Sequence, residues 1–325
     1  MLYQLISRLG AGGALLLGLL TGPASHAQLP AGAAAATTPV PRVASGSIRR
    51  FAAFKSQFVA ARTVDVWLPA GYPGAGRYDV LYLHDGQMLF DSTTTWNHQE
   101  WRVDKTLGRL IQAQAVRPTI VVGIWNNGPL RHTEYFPQKP LASLPAAVRE
   151  RLLAGDLHGQ ARADDYLRFL TQELKPFIDR MFATRPTAAH TFVAGSSMGG
   201  LISLYALCEY PQVFGGAACL STHWPGSVGP DQDAIAAAFV DYLRQHLPAP
   251  AGHRLYFDHG SATLDSLYAP YQQRADAVLR ARGYTPATWT TRTFAGANHS
   301  EQAWAQRLAL PLQFVLGRPA AGAAK

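Results

Sequence analysis

The fold is decided by Phe192-Val193-Ala194-Gly195-Ser196-Ser197-Met198-Gly199-Gly200, which runs on into a helical stretch from Leu201 to Tyr210. An apolar run that breaks into G-x-S-x-G and then into a helix is the strand–turn–helix context in which that pattern carries chemistry. The turn is so tight that its flanking positions tolerate almost no side chain, hence Gly195 and Gly199, with Gly200 behind them. In return the central hydroxyl stands above a sheet edge, at a helix N-terminus whose dipole favours developing negative charge. Ser197 is therefore the candidate nucleophile; Ser196 lacks the flanking glycines.

The segments around this turn repeat its strand character. Val80-Leu81-Tyr82-Leu83, Thr119 to Ile124 and Leu255-Tyr256-Phe257 are short continuous apolar runs. Such runs, buried on both faces, are what the middle of a parallel sheet looks like. Val64, Val66 and Leu68 alternate with polar residues as a half-buried strand does, and Pro69 ends the run. Between the strands, Tyr166, Phe169, Leu170, Leu174, Phe177 and Ile178 follow helical spacing within 164–181. A second helix over 271–282 is closed by Gly283 in a left-handed cap. This alternation predicts an α/β fold, a central mostly parallel sheet with helices on both faces. Sites on such sheets form at the carboxyl ends of the strands.

A serine hydroxyl needs a base, and the base an orienting acid, in the chain order Ser, acid, His for an α/β-hydrolase fold. Five of the eleven histidines follow Ser197: His223, His246, His253, His259 and His299. His299 has the best address, in the loop after a strand-like Thr288 to Phe294, with Asn298 and Glu301 spaced to cap the next helix. His246 falls late in a helical stretch, and His253 precedes its strand, on the wrong side of the sheet. His259 sits where the acid belongs. For that acid Asp265 and Asp258 compete: Asp258 is still attached to the strand, and Asp265 lies beyond the Gly260 turn, where a side chain can swing toward His299. Asp265 is the first choice and Asp258 the second.

The oxyanion formed in acyl transfer needs two backbone N–H donors. One is expected from Met198, the other from Gln87 in the loop His84-Asp85-Gly86-Gln87. His84 and Asp85 have no companion cluster at ligand spacing, so no metal or other cofactor is expected.

The loop at 84–87 continues with Trp96, Glu100-Trp101, Val103-Asp104 and the run Val121 to Ile124. Together with Arg131, Glu134-Tyr135-Phe136-Pro137, the 195–200 elbow, Tyr256-Phe257-Asp258 and Asn298-His299-Ser300-Glu301, it resembles the esterase D-like α/β-hydrolases. That superfamily includes enterochelin esterases, feruloyl and acetyl-xylan esterases, S-formylglutathione hydrolases and mycolyltransferases. The resemblance spans roughly 51–316. It implies a metal-free serine esterase with Ser197 and His299 as nucleophile and base, Met198 and Gln87 as the oxyanion hole, and Asp265 as the acid. It leaves the ester open among siderophore, feruloyl and acetylated-sugar classes. It also leaves open acyl transfer to a sugar or lipid acceptor, and a non-catalytic binding protein of the same fold.

Aromatic and polar residues at strand ends are the candidates for substrate contact: Trp101, Trp125, Arg131, Tyr135, His223 and Trp224, with Trp96 and Phe136 nearby. Cys208 and Cys219 read as buried hydrophobes.

The remaining sequence bounds the setting. Arg8, an apolar stretch over 10–20, and Ser25 and Ala27 at a small-residue cleavage site read as a secretory signal over 1–27, which implies a secreted or periplasmic protein. Residues 28–45 are Ala, Pro and Thr with hardly any large apolar side chain, and read as a disordered linker. One catalytic domain is expected over 46–317, then a loose tail over 318–325. The chain has 325 residues, 48% of them hydrophobic, which excludes a disordered or collagen-like protein. Two cysteines exclude a small disulfide scaffold. A net charge of +8 comes from 29 Lys and Arg against 21 Asp and Glu, scattered and without a basic stripe, so nucleic acid is not an expected partner. Weak steering of anionic polymers or acidic substrates is what remains for that charge.

Overall fold

The computed structural model describes residues 38–317. The predicted signal at 1–27 and tail at 318–325 lie outside the described residues.

Eight strands form one sheet: β1 (Ser47–Phe54), β2 (Arg62–Leu68), β3 (Asp79–His84), β4 (Thr119–Ile124), β5 (Thr191–Ser196), β6 (Gly216–Leu220), β7 (Arg254–Gly260) and β8 (Trp289–Phe294). Their order is β1-β2-β4-β3-β5-β6-β7-β8. The first two strands pair antiparallel, and β3 to β8 are parallel. The chain reverses its direction of travel between β3 and β5: β4 is added on one side of β3, and β5 to β8 on the other. Ligands of open α/β sheets bind at the carboxyl side of such a switch point.

Helices cover both faces, and the strand side chains alternate between them. Val80, Tyr82, Val193, Ala217, Cys219, Leu255 and Phe257 share one core with α3 (Ala146–Ala154), α4 (Ala163–Arg168), α5 (Lys175–Met181), α6 (Met198–Glu209), α7 (Gln232–His246) and α8 (Ala269–Ala281). Leu81, Leu83, Phe192, Ala194, Ala218, Leu220 and Tyr256 share the other with α1 (Val103–Gln112), α9 (Glu301–Arg307) and α10 (Ala309–Leu316). A short helix, α2 (Arg131–Tyr135), follows β4. Because both faces are buried, period-two alternation vanishes from the central strands and the apolar runs become continuous. The helix expected over 164–181 is one element in space, with a π-helical segment Phe169–Leu174 between α4 and α5. Cys208 and Cys219 are free thiols, both buried.

Two features depart from expectation. β1 is an edge strand ahead of the first one anticipated. It pairs Ser47 with Leu68 through Phe51 with Val64, and Phe51 and Phe54 pack edge-on against Phe177 at 5.0 and 5.2 Å. The stretch read as a disordered linker is fastened to the domain at its C-terminal end. The Arg42 N–H donates to Asp91 at 2.9 Å, the Ala44 N–H to Asp104 at 2.7 Å, and Trp67 Nε1 to the Ser45 carbonyl at 2.7 Å. Composition showed too little apolar surface to order this segment alone; its backbone is held instead by groups the domain supplies.

Candidate active site

The elbow is built as the sequence requires. Ser197 follows β5 directly and has φ 58°, ψ −124°, a conformation that costs an L-residue on the order of 1–3 kcal/mol. A Cβ on Gly195 would lie 2.7 Å from the Gly199 carbonyl group, so a side chain there would push strand and helix apart. The Gly200 and Leu201 N–H groups both donate to the Ser197 carbonyl, at 3.1 Å, which starts α6 at once. Ser196 is buried, and the half-buried Ser197 lines the cleft above the sheet.

His299 reaches the same cleft from the loop after β8. Its N–H donates to Thr263 Oγ1 at 3.0 Å, and its ring stands edge-on to Trp304 at 5.0 Å and Tyr268 at 5.8 Å. Nδ1 lies 2.6 Å from Asp265 Oδ1. Burial pushes the Asp265 carboxyl up, but bonds from His299, Ser221 and the Gly260 amide outweigh it and hold the carboxyl below its ordinary value. An ionised carboxylate only accepts, so Nδ1 carries the proton and Nε2 of the neutral ring is left with a lone pair. No hydrogen bond joins Nε2 to the Ser197 hydroxyl. That hydroxyl faces the hydroxyl of Tyr268, itself 2.8 Å from His223 Nδ1. Catalytic hydrogen bonds are commonly long without substrate.

The two candidate acids have different partners. Asp265 Oδ2 accepts from the Gly260 N–H and from Ser221 Oγ, both at 2.6 Å, while Oδ1 faces His299. Asp258 accepts from Arg307 Nη2 at 3.0 Å and the Ser221 N–H at 3.3 Å, and makes no contact with His299. Burial raises the Asp258 carboxyl, and Arg307 only partly offsets it. Ser221, with φ 43°, joins the two systems, because its Oγ also accepts from Trp304 Nε1 and Arg307 Nη2 at 2.9 Å.

Neither the Met198 nor the Gln87 N–H donates to another protein group among the described residues. Both residues border the site: Met198 opens α6, and Gln87 sits in the 3-10 turn Gly86–Met88 after β3. Gly86 is needed for the close approach of its loop to β4. A Cβ there would fall 2.6 Å from Gly123 of β4. Asp85, at φ 57°, turns its carboxylate back to Arg131, which binds it bidentately at 2.7 and 2.8 Å, and to Asn126 at 2.7 Å. Burial raises the Asp85 carboxyl, but the Arg131 charge and these bonds outweigh it and hold it low.

The cleft has a volume of about 550 Å³. Of the residues expected to touch substrate, Trp101 and Arg131 line it, as does Trp96, which is 81% exposed. Trp101 is otherwise buried, packed on Trp304 at 5.6 Å. The other four are corrected. Trp224 is fully buried in the core and donates from Nε1 to Gln272 at 2.9 Å. Tyr135 is equally buried, among Tyr166 and His84. Trp125 turns away to Asp65 at 2.9 Å beneath the Arg50 guanidinium. His223 is buried behind Tyr268. Phe136 is core as well. A strand-end loop places an aromatic residue near the site, but its side chain follows the larger gain from burial. Tyr268 and Trp304, which flank His299, were missed; the sequence signal for Trp304 was its place one helical turn after Ser300. The helix cap also differs from expectation, since Ser300 accepts from the Ala303 N–H and Asn298 does not cap. No group of three or more His, Cys, Asp or Glu gathers as a metal site among the described residues.

A strained serine elbow and a histidine–carboxylate pair lining one cleft at a sheet switch point are an arrangement of the α/β-hydrolase fold. A family model described as "Putative esterase" matches residues 56–312, and the chain belongs to that family. Among curated proteins it is 26% identical over 202 residues to an endo-1,4-beta-xylanase/feruloyl esterase of Xylanibacter ruminicola, covering 60% of this chain and 24% of that one. It is 27% identical over 165 residues to the uncharacterized protein YbbA of Bacillus subtilis, covering 50% of this chain and 58% of that one. The chain thus spans about three fifths or less of the curated relatives it matches. Among solved structures, a ferulic acid esterase superposes with TM-score 0.60 at 18% identity, covering 83% of this chain and 98% of that one. The enterobactin esterase FES from Shigella flexneri gives TM-score 0.60 at 19% identity, covering 86% of this chain and 60% of that one. At these identities the likeness is one of fold. No helix among the described residues is long and apolar enough to cross a membrane.

Proposed function

We propose that this chain is an exported serine esterase in which Ser197, His299 and Asp265 form the catalytic triad. The observation that carries this is the 2.6 Å contact of His299 Nδ1 with Asp265, made in the cleft that Ser197 lines. It leaves Nε2 as the free base. Ser197 Oγ attacks the ester carbonyl as its proton passes to Nε2, and the oxyanion accepts from the Met198 and Gln87 amides. The alcohol leaves with the proton from Nε2. Water, deprotonated by the same nitrogen, then cleaves the acyl-enzyme and frees the acid. Asp258 has no part in these steps.

For substrate, the proposal is an ester with a phenolic ring. Trp96, Trp101 and Trp304 present aromatic surface within the cleft, and Arg131 adds a positive charge beside it. The feruloyl and enterobactin esterases among the relatives carry the same implication by name. Export rests on the sequence of residues 1–27 and predicts an N-terminus at Gln28 in the mature protein.

Fluorophosphonate labelling tests the mechanism: the wild type labels and Ser197→Ala does not. Label retained by Ser197→Ala would sink it. Comparing kcat/KM on methyl ferulate and an alkyl acetate tests the substrate class, and preference for the acetate removes the phenolic reading.

A further inference from the structure

The amino edge of the sheet carries a pocket of its own, at the opposite ends of the strands from Ser197. It has a volume of about 390 Å³. Its walls include Arg117, His190, Gly215, Arg254 and Thr288, which precede or open β4, β5, β6, β7 and β8 in turn. With about 3.3 Å of rise per residue, six-residue strands put this edge about 20 Å from the catalytic one.

Positive charge collects here without a matching acid. Arg117 Nη1 and Arg254 Nη1 both donate to the Gly317 carbonyl, at 3.0 and 3.2 Å, so two guanidinium groups converge on one oxygen. Among the described residues, Arg254 otherwise meets the Phe314 carbonyl, at 3.2 Å. His253, also in the wall, has Nδ1 2.9 Å from the Ala249 carbonyl and Nε2 3.0 Å from the Pro211 carbonyl. No Asp or Glu lines the pocket among the described residues. Asp79, buried beneath, is already divided among Arg117, Arg185 and His190.

Among the described residues, Asp79 is the one acid paired with these arginines. The carbonyls at the end of α10 contribute the negative pole of a helix, about half an elementary charge. Against Arg117, Arg185 and Arg254, that half charge and Asp79 leave a surplus of more than one positive charge. Burial and the neighbouring Arg117 push the Arg254 guanidinium below its ordinary pKa, as expected of positive charge left uncompensated.

We propose that this pocket binds a phosphate group, as a small phosphate ester or a lipid headgroup, with Arg117 and Arg254 as its principal contacts. A dianionic phosphate matches the surplus in sign and size, and a planar guanidinium fork fits its oxygens. The volume admits a small ester, and the carboxyl-edge cleft stays open while the site is filled.

Calorimetric titration of the full chain with glycerol 3-phosphate is the test, with phosphatidic acid vesicles, whose headgroup is also a phosphate monoester, as a second arm that tells a bilayer headgroup from a soluble ester. Arg254→Gln removes a cation while leaving the partners of Asp79 in place, and should weaken binding about tenfold or more. Ala287→Asp sets a carboxylate on the exposed rim without removing a contact and should do the same. If Arg254→Gln fails to fold, the rim variant decides. Fluorophosphonate labelling should be unchanged in both, which separates this site from the esterase mechanism. Saturable binding of either probe that is lost in the variants supports the proposal. It is overturned by no saturable binding of either probe to the wild type, or by equal affinity in the variants.

Discussion

Asp258 lies within β7 and Asp265 seven positions later in the turn that follows, and their environments suit them to different tasks. Asp265 is held ionised by three donors and faces the imidazole, whereas Asp258 is paired with the buried Arg307. Asp265→Asn should therefore lower kcat by about four orders of magnitude, the scale seen when a triad acid loses its charge. Asp258→Asn should keep most of the activity and lose stability, because Arg307 is left buried without its main counter-charge. Steady-state kinetics on an aryl acetate beside urea unfolding checks both; the reverse ranking of activities would reassign the acid. Ser221 belongs to the same argument. Its hydroxyl donates to Asp265 and accepts from Trp304 and Arg307, so Ser221→Ala strands the buried Trp304 Nε1 and takes one bond each from Arg307 and Asp265. A loss of about 2–4 kcal/mol is expected from unfolding curves, since each unsatisfied buried group costs about 1–3 kcal/mol.

At the scale of elements, α9 shows how local structure positions the residue proposed as the base. Ser300 is in extended conformation and caps the helix, and His299 is the residue just before it. Ser300→Ala should cost about 1 kcal/mol of stability, the usual worth of an N-cap hydroxyl, and thermal melts will register it. An unchanged midpoint would mean that the cap contributes nothing here. The elements that were legible in the sequence are those whose constraint is local or repeated. The elbow shows because Gly195 is dictated by a contact with Gly199, four residues away, and β3, β4, β5 and β7 show because burial on both faces leaves an unbroken apolar run. β1 gives neither signal: it is an edge strand whose half-buried and exposed residues lose their alternation at a register shift between Phe51 and Phe54, and those two rings find partners on α5, more than a hundred residues later. Trp224 and Tyr135 fail for the same reason. Their positions at strand ends are local facts, but which way each ring turns depends on Gln272 or on Tyr166, which sequence spacing does not reveal.

Across the whole molecule, several ionisable groups are held in one charge state, and this sets how stability responds to pH. His84 and His223 are buried, and burial is the largest cause that lowers each to about 3 from an ordinary value of about 6.5. In the folded protein both stay neutral through the mildly acidic range. The unfolded chain takes up a proton at each as pH falls through about 6.5, so it binds more protons than the folded chain between about pH 6.5 and 3. Stability is therefore fully present above that window and declines with falling pH inside it, by up to about 1.4 kcal/mol per pH unit for each histidine. Asp85 and Asp265, held below their ordinary values, add to the loss only further down, as pH passes below the ordinary carboxylate range toward their folded values. Urea unfolding at half-unit steps from pH 7.5 to 4.5 should show a plateau and then a decline. His84→Phe, which keeps a ring between Tyr135 and Tyr166, should remove about half of the slope. A decline confined to below pH 4 would place the effect on the carboxylates instead, and an unchanged slope in His84→Phe would take His84 out of the account.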